Sequence, residues 1–374
     1  MGMRAVLFKN GMRVCPIGQG TYLMGRRRSE EVRALRRGVE LGMEVIDTAE
    51  MYGTEDLVGE AVRGCRERAF LVSKVLPENA DYAGTKRACE GSLRRLGTDY
   101  IDLYLLHWKG SFPISETVRA MAELKREGKI FQWDMSNLDV GDMQNVLSLP
   151  DGGDCAADQV LYKMESRGAE YDLIPWCARR GIPVMAYTPF GGGMAMHGGA
   201  LAEIARRRCA TPAQVMLAWA IRGGVIAIPK AGGAVHVDEN FRSLNVELTE
   251  EDLRDIDAAF PAPNAKNSPR RLVGLGRGRR SSAFRESEMP LPEGRRYGLN
   301  GAFAVPESAA AFRRRQSRAD FGRFAGSGRR YRTGGRGWTA ASLPSSAPRS
   351  GCPSGSSSTG TFFHLPPTFA TIIL

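Results

Sequence analysis

The chain has 374 residues, a hydrophobic fraction of 43% and a formal net charge of +11 at pH 7. A chain of this length and composition can bury a sizeable core, which excludes a fully disordered or fibrous protein. No apolar run reaches the roughly 18 residues that a membrane-spanning helix needs. The first residues lack the apolar stretch of a secretory signal. We therefore expect a cytoplasmic protein without a membrane partner.

The charge is distributed unevenly along the chain. Residues 1–266 contain 34 basic and 36 acidic side chains, whereas residues 267–374 contain 18 arginines, no lysine and five acidic side chains. The basic C-terminal part is also rich in Gly, Ser and Pro and has no sustained apolar periodicity. We predict a folded domain over residues 1–266 and a basic, disordered C-terminal extension over residues 267–374.

Two interpretations of the C-terminal extension remain open. Its arginines, its glycines and aromatic residues such as Tyr331 and Trp338 are compatible with binding of RNA or DNA through counterion release. The same composition is typical of an altered reading frame in a GC-rich gene, or of a neutral extension. We favour the second interpretation over a nucleic-acid partner.

The body alternates short apolar runs with longer amphipathic ones. A hairpin comes first, because residues 4–8 and 13–16 flank the turn signal Asn10-Gly11. The strand candidates that follow are residues 21–24, 44–46, 70–73, 103–106, 130–133, 158–161, 184–187 and 225–228. The helical candidates include residues 29–41, 85–96, 115–126, 171–180, 212–221 and 250–259. Ser29 and Thr211 are the predicted helix caps.

The spacing of the strand candidates favours a (β/α)₈ barrel. Candidates that begin at residues 103, 130, 158 and 184 are separated by the length of one strand and one helix with their loops. The alternative is an open, doubly wound sheet, which needs a glycine-rich phosphate turn after its first strand. Gly18 and Gly20 lack the third glycine of that motif. We expect the N-terminal hairpin to plug the bottom of the barrel.

Four polar residues follow predicted barrel strands: Asp47, Tyr52, Lys74 and His107. The carboxyl ends of barrel strands face the active site, so these side chains should converge. Tyr52 is a poor acid at the ordinary pKa of a phenol, and we expect the Lys74 ammonium to lower that pKa. Asp47 would orient Lys74, and a neutral His107 would donate a hydrogen bond to a substrate oxygen. Any one of these residues alone is more often structural, so the prediction depends on all four in order.

Around these positions the sequence resembles the aldo-keto reductase family. The motifs are Asp47-Thr-Ala-Glu-Met-Tyr52-Gly53, Val72-Ser-Lys74 and Leu105-Leu-His107-Trp108, and the resemblance extends from about residue 3 to residue 263. It implies a (β/α)₈ barrel with an N-terminal hairpin, NADPH as the hydride donor and the four polar residues as the catalytic group. Tyr52 would be the general acid. Within the family, the sequence is most similar to short bacterial reductases of small carbonyl compounds such as methylglyoxal.

The resemblance also implies a set of cofactor-binding residues at the mouth of the barrel. Its members are Gly20, Thr21, Asp47, Ser136, Asn137, Gln159, Tyr187, Thr188, Lys230, Ala231, His236, Glu239 and Asn240. Those near the fifth to seventh strands would contact the nicotinamide. Those after the eighth strand would contact the adenosine, with Lys230 on its 2′-phosphate. His236 stands where many relatives carry Arg, which weakens the expectation of NADP over NAD.

Three departures from the family pattern lie near the expected cofactor site, and the two acidic ones leave a second function open. Asp134 stands where relatives usually carry Gly, Asp158 stands where Asn is usual, and residues 191–196 replace a loop that often covers the pyrophosphate. If Asp134 is buried without a partner, it must be destabilising or protonated. The alternative to a reductase is therefore a barrel that binds NADPH without turnover and acts as a sensor or partner subunit.

Loops at the barrel mouth should select the substrate. Tyr22, Trp108 and residues 109–113 are the candidate walls of a pocket for a small aldehyde. The four histidines are dispersed, which does not favour a metal site, and none of the seven cysteines forms a C-x-x-C pair. We expect reduced thiols rather than a disulfide framework.

Overall fold

The structure is a computed structural model that describes residues 5–191 and 199–265. The strands within these residues are β1 (Val6–Leu7), β2 (Arg13–Val14), β3 (Gln19–Gly20), β4 (Val45–Asp47), β5 (Phe70–Val75), β6 (Ile101–Leu106), β7 (Ile130–Ser136), β8 (Cys155–Leu161), β9 (Val184–Tyr187) and β10 (Ile226–Ile228). The α-helices are α1 (Arg28–Leu41), α2 (Glu55–Val62), α3 (Tyr82–Leu96), α4 (Ile114–Arg126), α5 (Val140–Ser148), α6 (Leu173–Ala178), α7 (Gly199–Arg207), α8 (Pro212–Ala220), α9 (Ala234–Arg242) and α10 (Glu250–Ala259).

Strands β3 to β10 form the predicted barrel. They pair in chain order, and every pairing is parallel. Two hydrogen bonds join the end strands: the Gly18 N–H donates to the Ala227 carbonyl at 2.8 Å, and the Gly20 N–H donates to the Pro229 carbonyl at 2.9 Å. The sheet therefore closes on itself, and the (β/α)₈ barrel is confirmed over the open doubly wound sheet.

The N-terminal hairpin packs against the amino ends of the barrel strands. Strands β1 and β2 are antiparallel, and Gly11 in their turn has a φ of +84°, which glycine adopts without strain. The Phe8 ring stacks on Phe70, the first residue of β5, with 5.5 Å between centroids. The hairpin and the barrel interior share one apolar core, formed by Val6, Phe8, Val14, Val45, Phe70, Val72, Leu103, Leu105, Ala156, Ala157, Met185, Ile226 and Ile228. This core confirms the predicted plug and leaves the carboxyl ends of the strands open for a site.

Two local predictions are wrong. The first barrel strand is β3, two residues long, and not residues 21–24, which form a turn with Leu23 at a φ of +63°. Ser29 lies inside α1, which begins after Arg27 without a side-chain cap. Thr211, in contrast, caps α8 as predicted, through a capping box with Gln214.

The predicted C-terminal extension and residues 192–196 of the altered loop lie outside the described residues. In the described part of the chain, no helix is long and apolar enough to cross a membrane. The same residues contain no group of His, Cys, Asp and Glu side chains that could hold a metal ion.

Candidate active site

The carboxyl ends of β4, β5 and β6 bring the four predicted catalytic residues together. Asp47 is the last residue of β4, Lys74 lies one residue before the end of β5, and His107 directly follows β6. Tyr52 ends a 3₁₀ turn, Glu50–Tyr52, that follows β4. Since the three strands are neighbours in one parallel sheet, their ends meet at the same edge of the barrel.

Asp47 and Lys74 form a buried ion pair. The Lys74 Nζ lies 2.6 Å from Oδ1 of Asp47 and donates a second hydrogen bond to the Thr48 carbonyl at 2.8 Å. The other Asp47 oxygen accepts a hydrogen bond from Nε2 of Gln159 at 2.8 Å. Burial lowers the pKa of Lys74, and the Asp47 charge opposes that shift. The carboxylate therefore fixes the ammonium beside the barrel mouth.

Tyr52 and His107 face each other above this ion pair. The Tyr52 hydroxyl lies 3.3 Å from Nε2 of His107. Burial, reinforced by the positive charge of Lys74, lowers the pKa of His107 to about 3. The imidazole is therefore neutral at physiological pH, which is the form that the sequence analysis required.

The pKa of Tyr52 is shifted in the opposite direction to the one expected from the sequence. Burial of the phenol raises this pKa, and the negative charge of Asp47 raises it further. The Lys74 Nζ lies 4.9 Å from the centroid of the Tyr52 ring, but its charge is paired with Asp47. The site therefore holds Tyr52 as the neutral phenol, which is the form that can donate a proton.

Glu50, which the sequence analysis did not single out, anchors the turn that carries Tyr52. Its Oε1 accepts hydrogen bonds from the Leu76 backbone N–H at 2.6 Å and from Nδ2 of Asn79 at 3.1 Å. These bonds tie the turn to the loop that follows β5. The available signal was a carboxylate in the short segment between Asp47 and Tyr52, since a carboxylate can accept several hydrogen bonds from a neighbouring loop.

Thr21, which is expected to bind the cofactor, is buried and bonded to other parts of the barrel mouth. Its side chain is fully buried. The hydroxyl donates to the Asp47 carbonyl and also bonds to the Thr54 hydroxyl, each at 2.9 Å. Thr54 in turn bonds to the Thr48 hydroxyl at 2.9 Å. This chain of hydroxyl groups links the ends of β3 and β4 and the start of α2.

The residues expected at the nicotinamide form one connected polar group. The Ser136 Oγ donates to the Gln159 carbonyl at 2.8 Å, and Nδ2 of Asn137 donates to Ser136 Oγ and to the His107 carbonyl, each at 3.1 Å. The Tyr187 hydroxyl donates to Oδ1 of Asn137 at 2.8 Å. Hydrogen bonds therefore connect the ends of β7, β8 and β9 directly to His107.

Lys230, which is expected at the 2′-phosphate, lies just after β10, and Thr188 lies directly after β9. Lys230 is exposed and has no ion-pair partner among the described residues. Gly20 pairs with it through an isolated parallel bridge, and Ala231 is buried directly after it. Thr188 is exposed and has a φ of +55°, so the backbone turns sharply after β9. An unpaired ammonium beside exposed backbone suits a phosphate.

The residues expected at the adenine lie on α9. His236 and Glu239 are one turn apart, with 3.3 Å between Nδ1 and Oε2, and the His236 side chain is 73% exposed. The Thr211 hydroxyl donates to the other Glu239 oxygen at 2.6 Å, while Asn240 is buried. Of this group, His236 is the residue that faces solvent most fully.

The two acidic departures occupy a buried irregularity of the sheet. The register between β7 and β8 shifts between Trp133 and Met135, and Oδ1 of Asp134 accepts a hydrogen bond from the Ala157 N–H there at 3.2 Å. Burial raises the pKa of Asp134 to about 8. Burial and the charge of Asp134 raise the pKa of Asp158 well above its usual range. Burial therefore favours the protonated form of both carboxyls.

Aromatic side chains border the Tyr52 hydroxyl. The Tyr22 ring meets the Tyr52 ring edge-on, with 5.1 Å between centroids, and the Trp108 ring lies 4.7 Å from His107. The side chain of Tyr22 is exposed, and so is that of Phe112 in the 109–113 loop. Tyr22 and Trp108 therefore lie beside Tyr52 and His107, and their role as walls of a substrate pocket stays a prediction.

Comparison with known proteins agrees with this geometry. The model of the aldo/keto reductase family matches residues 16–260. The methylglyoxal reductase YeaE of Escherichia coli (strain K12) is 50% identical, over 72% of this chain and 99% of that protein. The glyoxal reductase of Bacillus subtilis (strain 168) is 33% identical, over 68% of this chain and 91% of that protein.

A crystal structure of an aldo-keto reductase from Klebsiella pneumoniae in complex with NADPH matches with a TM-score of 0.70 and 47% sequence identity. The match covers 72% of this chain and 99% of the Klebsiella chain. The parallel barrel with its N-terminal plug and the order of the four polar residues agree with the family match. The chain therefore belongs to the aldo/keto reductase family of oxidoreductases.

Proposed function

We propose that the chain reduces small aldehydes and ketones to alcohols with NADPH as the hydride donor, and that Tyr52 is the general acid. The observation that carries this proposal is the contact between the Tyr52 hydroxyl and Nε2 of the neutral His107, at 3.3 Å, beside a buried Lys74–Asp47 ion pair. Two neutral groups that can hydrogen-bond to one oxygen thus lie next to a fixed positive charge. This combination suits a carbonyl oxygen that gains negative charge during reduction.

The residues at the barrel mouth fit NADPH. The ammonium of Lys230 is exposed and has no ion-pair partner among the described residues, so it suits the 2′-phosphate. Ser136, Asn137 and Gln159 offer hydroxyl and amide groups that suit the nicotinamide carboxamide, and Tyr187 offers a ring for stacking. The chemistry that NADPH supplies when bound is hydride donation to the carbonyl carbon. The other proposed contacts are Gly20, Thr21, Asp47, Thr188, Ala231, His236, Glu239 and Asn240.

The proton chemistry falls to the four residues of the site. Tyr52 and His107 hydrogen-bond the carbonyl oxygen and so polarise the C=O bond. As negative charge develops on that oxygen, Tyr52 transfers its proton to it, and the alcohol forms. The resulting phenolate is stabilised by the Lys74 ammonium and regains a proton from water. Asp47 holds Lys74 in place throughout.

Small 2-oxoaldehydes are the proposed substrates. The E. coli relative is named a methylglyoxal reductase and the B. subtilis relative a glyoxal reductase. Tyr22 and Trp108 would limit the size of the group beside the carbonyl. We also propose that the enzyme acts in the cytoplasm.

The alternative of a barrel without turnover depended on Asp134 and Asp158. Asp134 hydrogen-bonds to the β8 backbone and to Cys155, and burial favours the neutral form of both acids. A neutral carboxyl at this place adds no charge near the cofactor. Asp134 and Asp158 therefore give no support to a loss of catalysis.

A panel of carbonyl compounds tests the proposed function. Methylglyoxal, glyoxal, an aromatic aldehyde and a bulky ketone would each be offered with NADPH and with NADH. We expect carbonyl-dependent oxidation of NADPH, with one alcohol formed per NADPH, fastest for the small aldehydes. Tight binding of NADPH without turnover of any compound would instead identify a non-catalytic barrel.

A further inference from the structure

A second cation lies beside the loop that joins β10 to α9. Arg27 directly precedes α1, and its Nη2 lies 3.4 Å from the point where a Cβ on Gly232 would stand. Gly232 follows Lys230 by two residues, so Arg27 and Lys230 flank the same short stretch of backbone. Helices α1 and α9 pack side by side, which fixes this arrangement.

We infer that Arg27 binds the 2′-phosphate of NADPH together with Lys230. The inference rests on the proposed function for the identity of the ligand. A guanidinium binds phosphate oxygens through parallel N–H groups and stays charged at every physiological pH. The Arg27 side chain is 63% exposed, so a ligand can reach it. Gly232 keeps the approach open, because any side chain there would begin in contact with Nη2.

Glu30 opposes this positive charge. Its Oε2 accepts a hydrogen bond from Nη1 of Arg27 at 2.9 Å, and its Oε1 lies 2.9 Å from the point where a Cβ on Gly233 would stand. The neighbouring Glu31 accepts a hydrogen bond from the Gly25 N–H at 2.7 Å and is buried. A carboxylate at the position of Glu30 repels a phosphate dianion but can accept a hydrogen bond from a ribose hydroxyl. Arg27 thus favours NADPH, and Glu30 favours NADH.

The opposite signs of these two effects make the inference testable by binding alone. Dissociation constants for NADPH and NADH would be measured on the full-length protein by fluorescence, without a carbonyl compound, and 2′,5′-ADP would serve as a competing probe. Arg27→Ala should weaken NADPH binding about tenfold, because an exposed charge-assisted hydrogen bond to the phosphate is lost. The same change should alter NADH binding by less than about twofold, because NADH has no 2′-phosphate. Glu30→Gln should tighten NADPH binding and leave NADH unchanged or weaker.

Arg28→Ala is the matched control, because the Arg28 guanidinium pairs with Asp56 and Glu60 on α2. It should change neither dissociation constant. Arg27→Lys keeps a positive charge and should retain most of the preference for NADPH. That result would show that the loss in Arg27→Ala comes from the missing charge and not from a folding defect. Equal losses for NADPH and NADH in Arg27→Ala, or no loss for NADPH, would overturn the inference. A selective loss in a protein that reduces no carbonyl would support the inference and contradict the proposed reductase function.

Discussion

The Lys74 ammonium and the Asp47 carboxylate lie 2.6 Å apart, and the Lys74 side chain has no contact with solvent. Neither charge can be removed alone without leaving the other buried and unpaired, which destabilises a protein by about 3–5 kcal/mol. The pair thus has a structural effect as well as the proposed catalytic one, and experiments must separate the two.

Lys74→Met should lower kcat by roughly 100-fold, because the phenolate of Tyr52 loses the charge that stabilises it. It should also lower the thermal melting temperature, since Asp47 keeps an unpaired charge. The double variant Asp47→Asn/Lys74→Met removes both charges and should recover much of the melting temperature while staying inactive. Melts and NADPH oxidation on the three proteins check this. An active double variant would show that the ion pair only supports the fold.

Lys230→Ala should raise the KM for NADPH much more than the KM for NADH, because only NADPH carries the 2′-phosphate. Steady-state kinetics with both cofactors measure the ratio. Lys125→Ala is a suitable control, because Lys125 lies on α4 and pairs with Asp154. Equal increases for both cofactors would mean that Lys230 has a different role.

Asp134→Asn should make stability less dependent on pH. The pKa of Asp134 is about 8 in the folded protein, so above roughly pH 4 the folded state keeps a proton that the unfolded chain has released. Stability should therefore fall as the pH rises from about 4 to 8, and Asp158 acts in the same direction. Asn cannot ionise, yet its oxygen can still accept the Ala157 N–H.

Melts between pH 5 and pH 9 measure this effect, with Asp151→Asn, a change at an exposed acid, as the control. The unmodified protein and the control should lose stability in parallel, and Asp134→Asn should lose less. Parallel curves for all three proteins would contradict the raised pKa of Asp134.

Residues 1–266 should fold and keep reductase activity without the C-terminal part. The family match ends at residue 260, and the last described helix, α10, packs against α7 within the body. Truncated and full-length proteins would be compared by thermal melt and by NADPH oxidation with methylglyoxal. Loss of activity with an unchanged melt would assign residues 267–374 a role at the substrate pocket. Failure to fold would overturn the proposed domain boundary.

The barrel and the four polar residues could be predicted because both depend on short-range patterns. Strand-to-strand spacing reports the repeating unit, and Asp47, Lys74 and His107 each stand at or just after a strand end. The strand β3 was misplaced because two residues are too few to show a period. Residues 21–24 matched an apolar pattern that a turn also allows.

The electrostatics of the site could not be predicted in the same way. Whether Lys74 acts on Tyr52 or is balanced by Asp47 depends on distances of a few ångströms and on burial, which the sequence does not contain. Arg27 gives no local signal either, because its position beside Gly232 brings together residues that are far apart in the chain. Such contacts become visible only when the helices are placed around the barrel.

The most direct test of the central claim is the carbonyl-dependent oxidation of NADPH by Tyr52→Phe, measured together with NADPH binding. The change removes the transferable proton and leaves the ring, which packs against Tyr22 and His107. We predict that kcat falls by roughly 10²- to 10⁴-fold while the dissociation constant for NADPH stays within about twofold. A variant that kept most of its kcat would show that Tyr52 is not the proton donor.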